Sequence, residues 1–177
     1  MRLCGLLVLT CVLASGCGSD SPSSPSTTAP NTVTFNATLL PANEKPSAVS
    51  NAEQSGRGTA VIKFNLTRNS AGAIQSGTVD FRFDMNSFPG GTLLTLAHIH
   101  TGDANTAGGV LINTGLSAAT ALALPNGSGS WELNGVTGAG VDAATLQAII
   151  DNPAGFYFNV HSSTNPGGVA RGQLVKQ

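Results

Sequence analysis

Charge is scarce in this chain: Lys and Arg number 8 and Asp and Glu 9 among 177 residues, a charged fraction of 10% with a formal net charge of −1. Basic residues this few and this scattered form no electrostatic footprint for nucleic acid or for anionic lipid. Aromatic side chains make up only 5%, with one Trp and one Tyr, so the stacking series used on single-stranded nucleic acid is absent as well. Cysteine occurs only as Cys4, Cys11 and Cys17, which leaves the rest of the chain without a disulfide or a thiol nucleophile. There is no Gly-x-Ser-x-Gly elbow, no phosphate loop and no His-Glu-x-x-His pair, and no spacing of acids recommends a carboxylate pair. Histidine is limited to His98, His100 and His161.

What is present begins with an address. Arg2 and the apolar run Leu3–Ala14 have the charged start and short hydrophobic middle of an export signal, too short to cross a bilayer. Its end, Leu13-Ala14-Ser15-Gly16-Cys17, resembles the lipobox of bacterial lipoproteins, with leucine one place earlier than usual. That resemblance implies removal of residues 1–16, acylation of Cys17 and a lipid anchor in a membrane. Gly18 in place of Asp fits sorting to the outer membrane in a Gram-negative cell. Residues 17–31 are rich in Ser, Pro and Thr and have no large apolar side chain to bury, so they are expected to be a disordered tether.

From Thr32 the pattern changes to period two. Val33, Phe35, Ala37 and Leu39 share one face, as do Ala60, Ile62, Phe64 and Leu66, and again Val79, Phe81, Phe83 and Met85. Further strands are expected over Thr92–His100, Val110–Ile112, Ser130–Leu133, Phe156–His161 and Val169–Val175, while 116–124 shows no readable period. One helix is expected after the N-cap Asp142, ending at Asn152-Pro153. About eight short strands with turns between them predict an all-β domain over 32–177, an antiparallel Greek-key or immunoglobulin-like sandwich or a partly closed barrel with one short helix. Trp131 and Tyr157 fall in alternating strands and are expected in the core.

His98 and His100 stand two apart on one strand and therefore project from the same side, about 6.6–7 Å apart, with Leu96 and Leu94 behind them. His161 has the parity of Tyr157 and Asn159, opposite to Phe158 and Val160. If its strand pairs near the first, three imidazoles converge on a copper or zinc type of site; otherwise the histidines bond backbone carbonyls or Asn159, Asp103 and Thr101 at the strand ends. Arg171, flanked by Ala170 and Gly172, is expected to grip a carboxylate or loop carbonyls, with Asp103, Asp80 and Asp84 as candidate partners. Asp103, Asn159 and Arg171 are thus structural or ligand-orienting candidates, and no catalytic residue stands out.

Together these stretches resemble the CHRD domain, the module named after chordin and found in many bacterial secreted proteins. The resemblance is carried by Phe35-Asn-Ala-Thr-Leu-Leu-Pro-Ala-Asn-Glu44, Gly58-Thr-Ala, His98-Ile-His100-Thr-Gly102, Gly155-Phe-Tyr157-Phe-Asn159-Val-His161, Asn165-Pro166-Gly167-Gly168 and Arg171-Gly172-Gln173-Leu174. It spans about Val33 to Leu174 and implies an all-β module with no assigned enzymatic activity. A fainter resemblance, to copper/zinc superoxide dismutase, rests on His98-Ile-His100 and Asn165-Pro-Gly167-Gly168. Three histidines are too few for that family's two-metal site, so it implies at most one metal on a related sandwich. Two functions are therefore expected. The first is a non-enzymatic binding or structural module of the cell envelope, held by Cys17 and partnered by an envelope protein. The second is a metal-binding protein, with redox activity as its extension, using His98, His100 and His161.

Overall fold

The computed structural model describes residues 29–177; the export signal, Cys17 and the tether up to residue 28 lie outside the described residues. Among the described residues, ten strands build two antiparallel sheets: β1 (Thr32–Leu39), β2 (Arg57–Arg68), β3 (Ile74–Asn86), β4 (Thr92–Thr101), β5 (Val110–Asn113), β6 (Leu122–Leu124), β7 (Gly129–Val136), β8 (Phe156–Ser162), β9 (Ala170–Gln173) and β10 (Val175–Lys176). The first sheet runs β10-β1-β2-β3-β7; the second runs β5-β4-β8-β9, with β6 beside the first half of β4. The result is a sandwich, not a closed barrel, although an isolated bridge between Leu40 and Arg171 joins the sheets at one edge.

The alternation in the sequence explains why the sheets close on each other. Register pairs Phe35 with Ile62 and Ile62 with Phe81, so the apolar sets of β1, β2 and β3 line one inner face. Ala97, Ile99, Phe158 and Val160 line the opposing face, and all are fully buried. Phe158 spans the two layers, with its ring 6.0 Å from Phe81 and 5.9 Å from Phe83. Burying a side chain of this size contributes about 1.5–3 kcal/mol.

Helix α1 (Ala143–Asp151) starts where expected, with the Asp142 carboxylate accepting from the Thr145 N–H, and it buries Leu146 and Ile149. It packs against β3.

Two strands exceed the expected eight. β6 is a three-residue strand inside the stretch that shows no period. The run Val169–Val175 is two strands rather than one: after Gln173 the chain leaves the second sheet, buries Leu174 in the core, and pairs with β1 as β10. That crossing brings β9 against the end of β1, where a Cβ on Gly172 would collide with the Thr38 carbonyl. Glycine is what permits the approach.

Three connections, residues 40–56, 102–109 and 163–169, fold over the outer face of the second sheet. Consequently β4 from Ala97 to His100 and β8 from Tyr157 to Ser162 are buried on both faces. One face is apolar and belongs to the sandwich core. The other is polar and forms a second, separate layer.

Candidate metal centre

The polar layer follows from strand register. β4 and β8 pair antiparallel with His98 opposite Asn159, His100 opposite Tyr157 and Leu96 opposite His161; β8 and β9 pair Asn159 with Arg171 and Tyr157 with Gln173. Side chains two apart share a face, so these residues stand together on the outer side of the sheet. Leu94 does not stand behind the histidines as its spacing suggests. The β4–β8 register shifts between Leu94 and Leu96, a bulge that turns Leu94 into the core, where it is fully buried.

The three histidines meet. His98 Nδ1 lies 3.2 Å from His161 Nε2, and one ring nitrogen from each of His98, His100 and His161 falls within 4.8 Å of the others. His100 Nδ1 is 3.1 Å from the Gly108 carbonyl and His161 Nδ1 is 2.9 Å from the Pro166 carbonyl. A carbonyl oxygen can only accept, so each of these Nδ1 atoms carries the proton and each Nε2 is left as a bare lone pair. His161 Nε2 accepts from His98 Nδ1, whereas His100 Nε2 is buried without a partner.

Burial is the largest influence on all three rings. It disfavours the imidazolium and, with the neighbouring His161 and His100, brings His98 down to about 4. His100 and His161 are lowered by the same desolvation, against the opposing hydrogen bonds they donate to the Gly108 and Pro166 carbonyls. Neutral rings at neutral pH offer the lone pairs a metal needs. A tetrahedral metal about 2.0–2.1 Å from each nitrogen would set the nitrogens about 3.3–3.4 Å apart. His98 and His161 already stand at that separation, and closing His100 onto them requires a shift of about 1.5 Å or less.

Neighbouring side chains hold the layer in place. The Tyr157 ring stacks on His100 at 4.9 Å and 10°, and the Arg171 guanidinium lies 3.6 Å from the centre of the same Tyr157 ring. Arg171 donates to the carbonyls of Asp103 (2.6 Å) and Thr106 (3.1 Å) and to Gln173 Oε1 (3.2 Å). It thereby clamps the 102–109 loop whose Gly108 carbonyl orients His100. Of the expected alternatives for Arg171, loop carbonyls are therefore the partners and the Asp carboxylates are not.

Asp80 and Asp84 sit on β3 in the other sheet and pair with Lys63 and Arg82. The exposed Asp103 carboxylate accepts from Asn105 and Thr106 within its own turn, and these hydrogen bonds, that from the Asn105 N–H foremost, hold it below the usual carboxylate range.

Sequence reasoning missed two members of the layer. Tyr157 is buried, but against His100 and Arg171 rather than in the apolar core. Glu44, 5% exposed, reaches in from the 40–56 connection. Desolvation pushes its carboxyl up to about 7, against the Arg171 charge and the nearby Asn159 amide. Nothing in the spacing of Glu44 marked it, since it arrives through a loop rather than a strand with a readable face.

A two-sheet sandwich with a buried polar layer under its loops defines a β-sandwich module built around a site. Residues 35–174 match the model of the CHRD domain. The chain belongs to the CHRD-domain family. Comparison with curated proteins and with solved structures gave no match. The stretches that carried the resemblance, from His98-Ile-His100 through Asn159, His161 and Asn165–Gly168 to Arg171, are those that form this layer.

Proposed function

We propose that this protein is an exported, lipid-tethered CHRD domain that binds one transition-metal ion, copper or zinc, through His98 Nδ1, His100 Nε2 and His161 Nε2, with the His98 ring taking its Nε2–H tautomer as the ion replaces its hydrogen bond to His161. The observation that carries this reading is the convergence of three buried imidazoles, two of them set by backbone carbonyls in the tautomer that bares Nε2. Metal-ligating histidines are oriented in this way by hydrogen bonds to their other nitrogen. A set of imidazoles without carboxylate or thiolate suits copper or zinc rather than calcium or magnesium. The domain works as a non-enzymatic binding module of the cell envelope, anchored through acylated Cys17, and the metal is what it binds.

Titration of the purified protein with Cu(II) and Zn(II) tests the site. One ion per chain, bound tighter than about micromolar or roughly 8 kcal/mol, is expected for the wild type, with a large loss in His100→Ala. No binding of either ion at that strength ends the metal reading. The anchor is tested separately by Cys17→Ser, which is expected to release the protein from membranes; a variant that stays membrane-bound contradicts acylation as the tether.

A further inference from the structure

Among the described residues, three buried side-chain atoms lack a hydrogen-bond partner: His100 Nε2, Asn159 Oδ1 and Glu44 Oε1. Unpaired buried polar atoms are rare and mark strain or a missing ligand, and all three of these fall in one layer. A metal on the histidines would occupy His100 Nε2. Asn159 Oδ1 is an amide oxygen, which can only accept and therefore awaits a donor.

Their arrangement narrows what that donor is. Asn159 lies directly across from His98 and two residues before His161 on the same face, so it borders the histidine cluster. Its amide nitrogen and Glu44 Oε2 converge over Gly168, where a Cβ would meet them at 2.7 Å and 2.6 Å. With Nδ2 turned toward the Glu44 side, Oδ1 is the buried end of the amide without a partner. Glu44 also lines a cleft of about 400 Å³ between residues 44–51 and 164–168, which borders the layer at Glu44 and Gly168.

Resting on the metal reading, we propose that the three histidines leave one coordination position open, and that it takes a small hydrogen-bond-donating ligand, water being the simplest, whose hydrogen is accepted by Asn159 Oδ1. Three protein ligands with a fourth, exchangeable position is the pattern of metal sites that handle small molecules. Glu44 acts here as a positioning residue, holding the amide so that oxygen rather than nitrogen faces the ion.

The experiment uses Cu(II)-loaded protein and two readouts: relaxation of bulk water protons, which reports exchangeable water on the ion, and azide titration followed by charge-transfer absorption. Azide carries no hydrogen to donate. The wild type is expected to show exchanging water that azide displaces. Asn159→Leu, which removes the acceptor for water, is expected to keep one ion per chain yet bind azide on the order of five- to tenfold tighter. Glu44→Leu is expected to give the same shift, and Glu44→Gln, equally uncharged but still able to accept from the amide, to keep the wild-type azide affinity. An ion that is bound but shows neither exchanging water nor an azide response overturns the open position while leaving the metal reading intact. Equal azide affinity in wild type and Asn159→Leu overturns the role of Asn159, and absence of bound copper removes both readings together. The wild-type relaxation measurement requires no variant to fold.

Discussion

The two faces of the β5-β4-β8-β9 sheet are made by the same strands, yet they are held in opposite ways. Facing inward, Ala97, Ile99, Phe158 and Val160 pack against the aromatic side chains of β3, and their burial needs no partner beyond contact. Facing outward, His98, His100, Tyr157, Asn159, His161 and Arg171 are equally buried, but under loops and among hydrogen bonds. The inner face is complete as it stands. The outer face keeps three buried atoms unpaired, and burying polar groups without partners costs stability. In the proposed reading, a bound ion and its ligand offset that cost.

Breaking the inner face is expected to have the largest effect. Phe158→Ala should lower the unfolding free energy by about 3–5 kcal/mol, read from the midpoint of chemical denaturation. A loss below about 1 kcal/mol would show that the two layers are less interlocked than their stacking indicates.

The outer face should respond to pH where the inner one does not. His98 is depressed from 6.5 to about 4, so between those values the unfolded chain binds more protons and metal-free stability falls as pH falls. His98 alone accounts for up to about 3 kcal/mol, lost progressively from pH 6.5 to 4. Glu44 acts with the opposite sign: raised from 4.5 to about 7, it holds its proton in the folded state across that window and lowers stability as pH rises through it. Glu44→Gln should therefore gain stability relative to wild type as pH rises from 5 to 7. Parallel pH profiles for the two proteins would contradict the buried, protonatable carboxyl.

Much of this contrast was legible in the chain. Strict alternation in β1, β2 and β3 assigned the inner face, and the parity of His161 with Tyr157 and Asn159 placed all three opposite Phe158 and Val160. Period-two patterns state which side a residue takes but not which strand lies beside it. The pairing of His98 with Asn159, which draws the histidines together, is a long-range fact that no local pattern carries. Loops hide more: Glu44 and the carbonyls of Gly108 and Pro166 reach the layer through backbone paths whose side-chain sequence has no period. Leu94 misled because a bulge reverses parity without any mark in composition.

Smaller effects sharpen the picture of the outer layer. Gly168 has φ +136 and would place a Cβ against Glu44 and Asn159, so Gly168→Ala should cost about 1–3 kcal/mol in thermal or chemical unfolding. A neutral outcome would mean that the loop moves freely over the layer. Tyr157→Phe removes only the hydroxyl that accepts from the Gly108 N–H at 3.3 Å; it should lose about 1 kcal/mol and keep the stack on His100. Zinc affinity in this variant should stay within about threefold of wild type. A larger drop would assign the hydroxyl, rather than the ring, the task of holding His100.

X-ray absorption at the metal edge of the copper- or zinc-loaded protein reads the centre itself. Three imidazole nitrogens at about 2.0–2.1 Å with one further light atom are predicted, falling to two imidazoles in His100→Ala. A wild-type spectrum with fewer than three imidazoles, or one unchanged in His100→Ala, would contradict the proposal that these three histidines form one metal site.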